Sequence, residues 1–159
     1  MNMLKHISQR CRWIAKGSVS FPDLSLTPDY PRLVARDLGE LIHTSATQSW
    51  KASLMTVGSL MEALLFCFLK RNEEYLRSVS GDPGFVVRSS DSLHDYLQIF
   101  RRYFSIYIDF LPDYVTSYRD IIHPNHEITM KRIAVSEATV RQALLFLDRM
   151  IQEFEEFGY

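Results

Sequence analysis

The sequence is poor in most of the features that announce a function. Two cysteines, Cys11 and Cys67, stand far apart and form no CxxC pair. They outline no disulfide framework, and a reducing, cytoplasmic compartment explains them most simply. Charge of one sign is also lacking: the net charge is −1, so no global basic field invites nucleic acid. The basic pairs Lys70-Arg71, Arg101-Arg102 and Lys131-Arg132 are scattered along the chain and read as solvated faces. Long apolar runs are missing. The most apolar stretch, Val57 to Leu69, is too short to span a bilayer and carries Glu62, so it reads as a core helix and no membrane is expected. The N-terminus holds Lys5, Arg10, Arg12 and Lys16 before any acid, but it has no apolar core of a signal peptide. There is no G-x-S-x-G run for a nucleophile elbow and no glycine loop to cradle a phosphate.

What is present is apolar substance with a helical rhythm. Of 159 residues, 47% are hydrophobic and 13% aromatic, enough for one well-packed domain and too much for a disordered chain. Residues 1–29 read as an N-terminal extension or docking segment, because Gly17 to Asp29 is rich in Ser, Pro and Asp. The domain proper is expected over 30–159. A first helix runs from about Tyr30 to Thr44, with Asp29 as its cap and Pro31 where a missing N–H costs nothing. A second helix, from about Gln48 to Leu76, carries Leu54, Val57, Met61, Leu64, Leu65 and Phe68 on one face. Small residues (Ala52, Thr56, Ser59, Ala63 and Cys67) occupy its other side. A helix with bulk on one side and small residues on the other can be packed on both, so it is expected at the centre.

Ser80 to Gly84 breaks the chain, and a third helix begins after Ser90 or Asp91 and runs to about Phe110. Its aromatic series, Tyr96, Phe100, Tyr103, Phe104, Tyr107 and Phe110, falls at the spacing of a core or a dimer interface more than of a stacking platform. A shorter fourth helix from Pro112 places Leu111, Val115, Tyr118 and Ile122 on one face and ends at Pro124. Ser136 caps a last helix bearing Val140, Leu144, Leu147, Ile151 and Phe154. No strand-like alternation of any length appears. The expectation is an all-α, antiparallel up-and-down bundle of four to five helices.

Chemistry is hinted at in one place, Tyr118-Arg119-Asp120-Ile121-Ile122-His123-Pro124. Arg119 and His123 are four apart, one above the other on the flank of the fourth helix. A guanidinium holds phosphate by a permanent bidentate charge, and an imidazole moves protons near neutral pH. The same pair also suits a plain helix C-terminus, with His123 on the dipole and Arg119 on a neighbouring acid. Glu62, on the central helix, either pairs with a cation such as Arg119 or reaches solvent at the edge of its face. His123, His126 and Glu127 are weak metal ligands, since Pro124 interrupts the helix between the histidines and no second ligand group is in view. Neither a metal nor another cofactor is expected.

These two segments, the central helix from Ser53 to Leu65 and the motif from Tyr118 to Pro124, resemble the HEPN superfamily of small helical domains. The resemblance spans about residues 30–157 as a helix order, with only those short runs specific. It implies a bundle that dimerises and, in active members, an Arg-to-His motif from each subunit that cuts RNA without metal. Many bacterial members are toxins or defence proteins beside a nucleotidyltransferase-type antitoxin, and others are silent dimerisation or protein-binding modules. On that resemblance Arg119, His123 and His126 are the catalytic candidates, with Glu62 and Asp120 in support. The family usually leaves about four to six residues between Arg and His. Arg119 to His123 leaves three and Arg119 to His126 leaves six. Asp120 stands where the family commonly has Asn, and its charge opposes RNA phosphate. Either His126 is the catalytic histidine, or the site is a non-catalytic remnant.

Overall fold

A computed structural model of the chain describes residues 4–7, 9–10, 29–104 and 135–157. The protein is all-α, with no strand among the described residues. Its helices are α1 (Asp29–Ala46), α2 (Trp50–Arg71), α3 (Glu73–Ser80), α4 (Leu93–Tyr103) and α5 (Glu137–Glu156). Residues 4–7 and 9–10 are helical as well. The expected fourth helix, around Pro112 to Ile122, lies outside the described residues.

The 22-residue α2 is the hub: α1, α3, α4 and α5 each pack on it more extensively than on one another. Its composition dictates this. From Leu60 to Leu69 every residue except Glu62 is buried, so no single polar stripe remains to face water. Thr56, Ala63 and Cys67 from the small-residue side are buried with the large ones. By length and composition α2 is long and apolar enough to cross a membrane, yet 78% of its most apolar 18 residues is buried inside the protein. Near its N-terminus Ser53 and Thr56 satisfy their hydroxyls on carbonyls one turn back, at Ser49 and Ala52.

At its other end α2 stops earlier than the periodicity predicts, at Arg71 instead of Leu76. Asn72 is the cause. Its backbone N–H and its side-chain Nδ2 both donate to the carbonyl of Phe68, and its φ of −95° and ψ of 18° leave the helical region. A short polar side chain that offers the backbone an alternative partner breaks a helix without glycine or proline. A new helix, α3, starts at once with Glu73 and Glu74 in its first turn.

The turn between α1 and α2 is equally compact. Ser49 N–H donates to Thr44 O (2.8 Å) and Gln48 N–H to Ser45 O (3.2 Å), the pairing of a Schellman cap. Gln48 takes the left-handed position, φ 58°, that glycine usually fills. Across the hairpin Ser53 donates to Thr44 (3.1 Å) and Ser59 to Asp37 (2.6 Å). Residue numbers rise along α2 as they fall along α1, so these two helices run antiparallel.

The start of α4 is set by a capping box at Ser92, one residue after Asp91 and two after Ser90. Ser92 accepts from Asp95 N–H, and the Asp95 side chain accepts from Ser92 N–H. The Ser92 hydroxyl, which donates to the Asp95 carboxylate at 2.6 Å, and after it the Ser92 N–H hold the Asp95 carboxyl below its ordinary range. Ser136 caps α5 by accepting from Thr139 N–H, as the sequence predicts. Tyr96, Phe100 and Phe104 are buried in the core, while Tyr103 is half-buried. Tyr107 and Phe110 lie outside the described residues.

Candidate functional site

Arg119, Asp120, His123 and His126 all lie outside the described residues, as do Lys131 and Arg132. Of the candidate residues only Glu62 is described; it lies on α2, whose Ser53 and Ser59 form a polar seam with α1. Glu62 is half-buried between buried Met61 and Ala63, and it is the only carboxylate on α2. It does not stand alone among its surroundings, since it makes a polar interaction.

One helical turn before it, Ser59 reaches across the seam. Its hydroxyl donates to Asp37 Oδ2 at 2.6 Å. Asp37 is 1% exposed, and Arg36 closes on Oδ1 with Nε at 2.8 Å and a terminal nitrogen at 2.7 Å. The arrangement satisfies both oxygens of a buried carboxylate, one by a neutral hydroxyl and one by a guanidinium fork. The Arg36 side chain is itself mostly in water, and Asp37 raises its pKa first through that hydrogen bond and then through charge. A buried acid satisfied in this way is fixed in direction and pins the two helices in register.

Sequence reasoning passed over Asp37, although a signal was present. Leu33, Val34, Leu38 and Leu41 define the inner stripe of α1, and Asp37 lies four after Leu33 and four before Leu41. A charge inside an apolar stripe needs a buried partner. Nothing in the sequence says that the partner is Ser59, because only the hairpin brings the two together.

Other ionisable groups are absorbed by the scaffold. Glu73, largely buried, accepts from Arg77 at 2.7 Å and pairs with Lys70. Glu153, also buried, faces Arg149 at 3.7 Å. Burial pushes the Cys67 thiol up to about 12, so it stays protonated at neutral pH and offers no thiolate nucleophile. No group of three or more His, Cys, Asp or Glu gathers as a metal set among the described residues.

Comparison with known proteins brings no relative: no family model, no curated protein and no solved structure matches the chain.

Proposed function

We propose that this chain is a HEPN-like helical protein acting as a metal-independent endoribonuclease of a toxin–antitoxin or defence system. In this reading it works in the cytoplasm as a homodimer, beside a nucleotidyltransferase-type antitoxin. The observation that carries it is the run from Tyr118 to His126, where one arginine precedes two histidines. Support from the fold is coarser: an all-α protein, a central helix with a single half-buried acid, and a capped last helix.

The chemistry follows from the side chains. Arg119 holds the scissile phosphate and offsets the charge that builds on it. His123 or His126 takes the proton of the ribose 2′-hydroxyl as it attacks phosphorus, and an imidazolium gives a proton to the departing 5′ oxygen. Glu62 holds Arg119 in place. No metal or other cofactor takes part.

A second reading is favoured by Asp120 and by the three-residue gap from Arg119 to His123: a catalytically inactive HEPN-like module for dimerisation or protein binding. One assay separates the two. Incubated with single-stranded RNA in chelator, the ribonuclease cuts it, and Arg119→Ala lowers the rate by at least about a hundredfold. His123→Ala and His126→Ala, compared side by side, identify the proton carrier. Turnover that is unchanged in Arg119→Ala removes the catalytic role. The inactive module instead leaves RNA intact and scatters light as a dimer at micromolar concentration.

A further inference from the structure

The N-terminal helical residues are held to α5 in an unusual way. Ile7 is fully buried and belongs to the core, and Leu4 packs partly buried beside it. Arg10 reaches Glu155 with Nε at 3.0 Å and with a terminal nitrogen, while its other terminal nitrogen meets Asp148 at 2.9 Å. His6 lies 3.8 Å from Asp148. Asp148 and Glu155 are two turns apart on one face of α5, and buried Ile151 falls between them. The segment repeats that order, with Ile7 between His6 and Arg10. Among the described residues the attachment combines an apolar plug, Ile7, with a charged fork at Arg10.

We infer that this segment is a strap, latched by Arg10, that opens as a unit while the helices beneath it stay folded. A helical turn gains little stability from its own hydrogen bonds, and ordering each residue costs entropy, so the segment depends on its contacts with α5. Against that stand, among the described residues 4–7 and 9–10, one fully buried side chain and a fork whose carboxylate at Glu155 is 39% exposed and open to screening. In contrast, α2 buries fourteen residues. Local opening follows where few buried contacts hold a segment.

Thiol labelling of the full chain tests this directly. In a Cys11→Ser, Ile7→Cys protein, position 7 reports the strap and buried Cys67 reports the core. Raising NaCl from about 50 mM to about 0.5 M should speed labelling at position 7 several-fold and leave Cys67 unchanged. Arg10→Ala added to this protein should speed position 7 by about tenfold, again without effect on Cys67. Because the new cysteine itself loosens the seat, hydrogen exchange of residues 1–10 is measured in the otherwise unsubstituted chain. There Arg10→Ala should accelerate exchange of that peptide alone. Equal responses of both thiols, or a peptide that exchanges in step with α2, would show that the segment opens only with the whole fold.

Discussion

The two halves of α2 are held by different physics. Its C-terminal half ends in an aromatic cluster in which the ring of Phe68 stacks on Phe154 at 4.3 Å. The same ring meets Phe100 and Phe104 edge-on at 5.5 and 4.8 Å. Its N-terminal half is joined to α1 by hydroxyls and one carboxylate: Ser53 to Thr44, Ser45 to Ser53, and Ser59 to Asp37. The aromatic end gains free energy from area and close contact, which are large and indifferent to small shifts. The hydroxyl end gains little net energy per bond but penalises any slip, because a buried polar group without its partner is costly. Both halves bury apolar side chains, Leu54, Val57 and Leu60 among them at the hydroxyl end, but the hydroxyl end adds the bonds that fix register.

Removing the ring at the aromatic end should have the largest effect. Phe68→Ala is expected to cost about 3–5 kcal/mol in urea unfolding, since it deletes the side chain shared by three helices. A cost under about 1 kcal/mol would mean that the cluster is loosely packed and the comparison fails. Next comes the seam. Asp37→Ala leaves the Ser59 hydroxyl without its acceptor and should cost about 2 kcal/mol. Paired with Ser59→Ala in a double-mutant cycle, it should be clearly non-additive; strict additivity would show that the 2.6 Å bond contributes nothing to the seam. The smallest effect sharpens the register argument. Gln48→Gly relieves the left-handed strain in the hairpin turn and should raise stability by about 0.5–1 kcal/mol. Gly81, at φ 69° after α3, predicts the opposite sign for Gly81→Ala. Matching signs at the two positions would remove strain as the explanation.

Helix existence was largely legible because apolar spacing, capping serines and the glycine–proline break are local. Ser136, Phe154 and the stripe of α1 are of this kind. Boundaries were less so. Asn72 ends α2 through a side-chain bond to its own preceding turn, and nothing in the apolar rhythm marks it. The aromatic series of α4 resolves into core for Tyr96, Phe100 and Phe104, since these are the positions its helical turn aims at Phe66 and Phe68. The seam was legible only in half: Asp37 betrays itself by sitting in an apolar stripe, but Ser59 carries no mark.

Composition and periodicity by themselves determined that this is an all-α protein around one long apolar helix, because burying a 3.6-residue stripe is a local property of sequence. Only the tertiary structure decided which polar groups meet. Asp37 finds Ser59, and Arg10 finds Asp148 and Glu155 more than a hundred residues away. Hydrogen bonds and ion pairs depend on distance and direction between segments far apart in the chain, and no spacing along one helix encodes them.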